Sequence, residues 1–327
     1  MVRRQRHALA VLVMLAAVAA AVPAAGQTAE VPRTGWGAPD LQGVWDFRSL
    51  TPMERPAELA DQEAFTEEEA ASFSEEVLRD QSRDLTDADA EAATGRVVPY
   101  NDFWFDWGST VTTDRTSLIV DPPDGRMPAL TQAAEQRRAA RAAAQQGVGR
   151  DEIPPGGWID ELSAPVRCIL GFNQGPPMTP SAYNNNMQLF QTEDHVVILN
   201  EMIHDARIVP IDGRPGLAGD IRQWTGSSRG HWDGDTLVVE TTNRRDSSFR
   251  GATRDLHLTE RFTRADAGTL VYEVTLDDPR TWTRPWTFMV PMVRNEGEVY
   301  EYACHEGNYY MANMLHGMRA AEQAAAR

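Results

Sequence analysis

Five residue clusters in this 327-residue chain carry side chains that could move protons or hold a small molecule. In Ile203-His204-Asp205-Ala206-Arg207, an imidazole, a carboxylate and a guanidinium fall within four residues. Histidine titrates near neutrality, so an imidazole directed into a polar hollow can act as a general base. Two-residue alternation along a strand puts Asp205 and Arg207 on one face and His204 on the other. With the Asp205/Arg207 face outward, those two form a surface ion pair and His204 points inward. The ordinary reading is a histidine hydrogen-bonded in the core. The second cluster is Gly230-His231-Trp232-Asp233-Gly234-Asp235. His231 stands just before a tight turn, where ligand contacts are common, whereas Asp233 and Asp235 are what the turn itself requires.

The third cluster, Cys304-His305-Glu306-Gly307-Asn308-Tyr309, falls where a last strand hands over to a terminal helix. Glu306 is either an acid/base residue at a barrel mouth, with His305 and Tyr309 contacting substrate, or a cap for that helix. Tyr183-Asn184-Asn185-Asn186 offers a phenol and amides, Tyr183 and Asn185 foremost, to hydroxyl groups. Trp104 and Trp107 offer ring faces to sugars or aryl groups. A plain turn and core packing are the ordinary readings of these last two. Metal chemistry is not expected. His204, His231 and His305, with Glu306 or Asp205, could supply ligands, but no His-x-x-x-His spacing occurs among them.

Other catalytic classes are excluded by composition. Every basic residue is arginine, and with no lysine there is no Schiff base, pyridoxal phosphate attachment or P-loop lysine. No zinc-ribbon spacing or Gly-x-Ser-x-Gly elbow is present. The expectation is cofactor-free acid/base chemistry, a hydrolase or lyase acting on a small molecule. His204 and His231 would share proton transfer, with Glu306, Asp205 and Arg207 in support. The alternatives are a carrier for a hydrophobic small molecule and an envelope structural module.

The elements that must position these residues are mostly strands. Pro39–Phe47 reads as a first strand. Residues 56–115 form a helical and loop insertion, in which Thr66 starts an acidic helix with a thin stripe of Ala70, Phe73, Val77 and Leu78. Thr116–Val120 and Arg126–Leu130 flank Asp121-Pro122-Pro123-Asp124-Gly125 as a hairpin, and Thr131–Gln146 is a polar surface helix. Strands follow at Met187–Thr192, Val196–Met202, Ala206–Ile211, Arg229–Trp232, Asp235–Thr242, Leu256–Thr263 and Thr269–Leu276. Trp286–Arg294 and Glu298–Cys304 make a last pair. Short turns between consecutive strands favour an antiparallel meander, which solves its edge problem by closing into a barrel. Asn308–Ala326 is a terminal helix with Met311, Met314, Leu315 and Met318 on one stripe.

Residues 1–26 read as a cleavable export signal: Arg3, Arg4 and Arg6, an apolar run from Ala8 to Val22, then small residues before Gln27. The run is shorter than the roughly 20 residues of a spanning helix, so no stable membrane insertion is expected. The remainder, 27–327, reads as one β-barrel domain, periplasmic or secreted. The net charge is −17, and −20 without the signal arginines, with 28 basic residues against 48 acidic. Such a surface repels nucleic acid. Cys168 and Cys304 are expected to pair in an oxidising compartment, closing a long loop worth about 3–4 kcal/mol. Separate thiols or a reactive nucleophile are the alternatives.

Several stretches resemble a family of uncharacterised exported bacterial proteins. They are Pro39–Trp45 (PDLQGVW), Pro176–Asn186 (PPMTPSAYNNN), His204–Pro215 (HDARIVPIDGRP), Gly230–Asn243 (GHWDGDTLVVETTN), Thr281–Trp286 (TWTRPW) and Tyr300–Tyr309 (YEYACHEGNY). The resemblance runs through most of the mature chain and implies export, but no catalytic residue. Gly43-Val44-Trp45 is also similar to the opening Gly-x-Trp of lipocalin-like barrels, and that resemblance implies a fold only.

Overall fold

The computed structural model describes residues 31–84, 101–144, 146, 153, 157–245 and 249–326. Residues 1–26, expected to be an export signal, lie outside them. Ten strands form one antiparallel sheet. Their order of appearance is β1 Gly43–Asp46, β2 Ile119–Asp121, β3 Asn186–Gln191, β4 His195–Asn200 and β5 Ala206–Pro210. The second half adds β6 Ser227–Asp233, β7 Thr236–Thr242, β8 His257–Arg264, β9 Thr269–Asp277 and β10 Trp286–Asn295. Among the described residues there are three α-helices, α1 Glu67–Gln81, α2 Gln132–Ala144 and α3 Tyr310–Ala325. No helix among them is long and apolar enough to cross a membrane.

The sheet runs β5-β4-β3-β1-β10-β9-β8-β7-β6, with β2 also pairing β10. Two meanders, β3–β5 and β6–β10, are therefore joined through the first strand, which slots between β3 and β10. Every pairing is antiparallel and nine strands lie on the path, so the two edge strands point the same way. The 16 residues between β5 and β6 carry the chain back to start that parallel neighbour. Gly230 of β6 lies so close to β5 that a Cβ there would stand 2.6 Å from Ile211 and 3.1 Å from Val209. The edges thus meet through side chains and no ladder joins them. The expected closed barrel is not reached by that criterion.

The inner face is packed solid. Strict alternation puts Leu258, Glu260 and Phe262 of β8, Leu270, Tyr272, Val274 and Leu276 of β9, and Trp286, Phe288, Val290 and Met292 of β10 inside, all fully buried. Trp45 and Met178 fill the space between them, and Trp45 Nε1 donates to the Leu41 carbonyl at 2.9 Å. In the 56–115 insertion, Thr66 caps α1 with a reciprocal box to Glu69. The stripe then covers a separate small core, where Ala70, Phe73 and Val77 join Leu50, Phe65 and Val111.

Two pairings differ from the sequence reading. Arg126–Leu130 does not fold back on β2, because β2 joins β10 and Leu130 bridges Trp282 instead. Glu298–Cys304 forms no strand, because β10 is already flanked by β9 on one side and by β1 and β2 on the other. The expected disulfide is present: Cys168 and Cys304 are bonded with their Cα atoms 5.7 Å apart.

Candidate active site

The five-residue turn between β4 and β5 is built against the grain of its own residues. Ile203 and His204 both have left-handed backbones, at φ 64° and 54°. That region is unfavourable for a β-branched residue, and such strain persists only where surrounding contacts impose it. The contacts are visible. The Asn200 and Asp205 main chains bond at 3.0 Å, the His204 N–H donates to the Glu201 carbonyl at 3.1 Å, and Glu201 is tied to Asn186 through both main chain and side chain. Gly171 packs beneath, and a Cβ there would fall 2.0 Å from Met202 Cγ. Only glycine lets the two segments approach so closely.

This turn delivers His204, Asp205 and Arg207 to one end of the sheet. Arg207 points inward, opposite to the surface pairing considered from the sequence. Its guanidinium makes a two-pronged ion pair with Glu260, a residue with no exposed surface. The Tyr272 hydroxyl donates to Glu260 at 2.7 Å and accepts from the Met178 N–H at 3.1 Å. Burial opposes the charge on Arg207, but the attraction and hydrogen bonds of Glu260 outweigh it and hold its pKa above the ordinary value. Burial, then the Glu260 charge, pushes the Tyr272 phenol well above its usual range.

A second buried guanidinium, Arg244, donates to the Pro176 carbonyl. Among the described residues no carboxylate lies within 4 Å of it, and burial lowers its pKa to about 10. Arg207, Arg244 and Glu260 therefore leave one positive charge in excess inside the fold. The segment carrying Gln174, Pro176 and Met178 closes over this cluster, and Gln174 Nε2 donates to Asp205 at 2.6 Å.

Among the described residues nine buried side-chain atoms have no hydrogen-bond partner. Five belong to this region: His204 Nδ1, Arg207 Nε, Arg244 Nε, Asn173 Oδ1 and Asn200 Oδ1. Buried polar atoms are normally satisfied, so such a concentration in one region is unusual.

The remaining sequence candidates spread outward from this corner. His231 is exposed on β6. It lies level with Ile211, because Gly230 abuts Val209 and Ile211, and so sits roughly 20 Å along the parallel strands from His204. His305, Glu306 and Tyr309 are exposed. The disulfide ties their segment to Cys168, whose Cα can be no more than about 11 Å from that of Gly171. They therefore share an end of the molecule with His204, and no hydrogen bond links them to His204 or Asp205 among the described residues.

Asn185 is wholly engaged, donating to the Asp106 and Ser181 carbonyls and accepting from Asn173 and Ser181. Tyr183 stacks edge-on to Phe172, with ring centroids 5.2 Å apart. Trp107 lies parallel to Phe105 at 5.4 Å, while Trp104 is 58% exposed. No three His, Cys, Asp or Glu side chains among the described residues are grouped to hold a metal ion.

Sequence reasoning missed Glu260, Tyr272, Arg244 and Gln174. Glu260 carried a signal: a carboxylate in phase with the apolar positions of Leu258 and Phe262 on a half-buried strand. The chain matches no protein-family model, no curated protein and no solved structure.

Proposed function

We infer that this is an exported enzyme for a small molecule, a hydrolase or lyase working by cofactor-free acid–base catalysis at the His204 corner. The observation that carries this reading is the half-buried imidazole of His204, whose Nδ1 has no partner, on a strained turn beside a buried cluster with surplus positive charge. An imidazole so placed can take a proton from water or from carbon next to a carbonyl. The uncompensated Arg244 charge suits the anion that either step creates. Asp205 is held by Gln174 rather than by His204, so the arrangement is not that of a nucleophilic triad. Arg207 and Glu260 act as positioning residues, since their guanidinium and carboxylate are spent on each other.

Export is supported by the charged-then-apolar start of the chain and by the disulfide, which persists in oxidising compartments. A barrel is the natural description of a sheet whose edges abut. Its interior is filled by Trp45, Tyr272, Phe262, Trp286 and Phe288 and leaves carriage of a hydrophobic molecule no supporting observation.

The test is turnover of a panel of small esters, amides and β-hydroxy acids, read by product mass. His204→Gln should lose at least about 100-fold on any compound the wild type converts. His231→Gln should retain the activity. Equal turnover by wild type and His204→Gln would sink the assignment.

A further inference from the structure

At the same end of the sheet as the β4–β5 turn, but beside β8 and β10, α2 lies over the loops that precede those two strands. Between them is a cavity of about 620 Å³, the size of an ordinary small-molecule site. Six arginines line it: Arg137, Arg138 and Arg141 from α2, Arg250 and Arg254 from the first loop, and Arg280 from the second. Among the described residues no Asp or Glu lines it, in a chain where acidic residues outnumber basic ones by 48 to 31. Arginine identity says little here, because the chain has no lysine. The segregation of charge is what needs a cause.

For four of the six, pairing among the described residues is not that cause. Arg280 is held by Asp255 at 3.0 Å. Among the described residues, Arg137, Arg138, Arg141 and Arg250 have no carboxylate within 4 Å. Burial also lowers the pKa of Arg250, against the attraction of Glu54. Like charges facing one another across a cavity repel, so the arrangement costs stability unless something negative sits between them.

The frame around the cavity is cross-linked by hydrogen bonds. Asp278, buried, accepts from the Thr253 N–H at 2.6 Å, the Thr281 hydroxyl at 2.7 Å and the Arg280 N–H at 3.0 Å, and so binds both loops together. Thr131 at the start of α2 donates its hydroxyl to the Arg280 carbonyl, and Arg137 bonds the same carbonyl and the Thr281 hydroxyl. Leu130, Ala134 and Ala252 give the cavity an apolar side.

We propose that this cavity is a second binding site, independent of the His204 corner, for a small organic anion whose carboxylate or phosphate meets the arginine forks and whose compact apolar body rests on Leu130 and Ala252. Guanidinium forks match both groups in two-pronged geometry. The net charge of −17 keeps long polyanions away, while a small anion within the cavity feels the local charge, because the rest is screened beyond about 10 Å.

The experiment is calorimetric titration of the full mature protein at about 0.1 M ionic strength with phthalate, phenyl phosphate and the neutral ester dimethyl phthalate. One-to-one saturable binding of at least one anion, none of the ester, and weakening with added salt is expected. Which anion binds more tightly assigns the head group. The double variant Arg138→Gln/Arg141→Gln, on the exposed face of α2, should weaken binding by about tenfold or more. Arg284→Gln changes charge equally but removes an arginine that pairs with Asp121 outside the cavity, and it should bind as wild type does. Arg250→Gln gives an independent check from the other wall. The proposal is overturned if neither anion binds saturably, if the ester binds as well, or if Arg284→Gln weakens binding as much as the cavity variants do.

Discussion

Replacing Arg244 with methionine should make the fold more stable and the protein less active. Arg244 is buried, among the described residues its guanidinium bonds only the Pro176 carbonyl, and Glu260 is already engaged by Arg207. Burial, opposed by Glu260 and reinforced by Arg207, lowers its pKa from the ordinary guanidinium value to about 10. Below pH 10 both folded and unfolded chains hold the proton, so the folded state bears the whole cost of the buried charge. A fall of that size corresponds to about 3 kcal/mol. The cost fades as pH rises past 10 toward the ordinary guanidinium range, where the unfolded chain binds more protons than the folded one. Methionine removes the charge, keeps most of the volume, and forgoes a hydrogen bond worth about 1–2 kcal/mol. The net gain is about 1–2 kcal/mol at pH 7, a rise of a few degrees in Tm. Urea unfolding with the disulfide intact measures it directly, and the advantage should narrow when the titration is repeated above pH 10. A variant destabilised by more than about 1 kcal/mol at pH 7 would mean that the fold already satisfies this guanidinium, and the surplus charge invoked for catalysis would not exist.

Glu260→Gln should act in the opposite sense, costing about 3–5 kcal/mol, because it strands Arg207 beside Arg244 in the interior; unfolding at neutral pH reads the loss, and a cost under 1 kcal/mol would refute the pairing. Gly171→Ala should cost at least about 2 kcal/mol, since its methyl group would overlap Met202, and hydrogen exchange should show the 200–205 turn loosened. Reduction of Cys168–Cys304, which are 136 residues apart, should lower stability by up to about 5 kcal/mol, read as a drop in the urea midpoint.

What the sequence displayed best was local. The Thr66–Glu69 cap, the α2 helix and the β6–β7 and β8–β9 hairpins depend on neighbours a few residues apart, and each lies close to where turn and cap chemistry place it. Long-range pairing was hidden. Nothing in Gly43–Asp46 says that it will lie between β3 and β10, and once it does, Glu298–Cys304 has no free edge to join. The candidate corner was half legible. His204, Asp205 and Arg207 stand together in the chain, but the partner that turns Arg207 inward, Glu260, is 53 residues away. The arginine cavity was hidden for the same reason, because α2 reads as a solvated polar helix until Arg250, Arg254 and Arg280 are brought opposite it.

The claim that His204 is the working base is tested most directly by chemical modification of histidines with diethyl pyrocarbonate. Each site would be followed by peptide mass while residual turnover is measured on the same samples. The exposed His231 should react early and leave activity intact, and activity should then fall in step with modification of His204. Activity that disappears in step with His231, while His204 remains unmodified, would contradict the account.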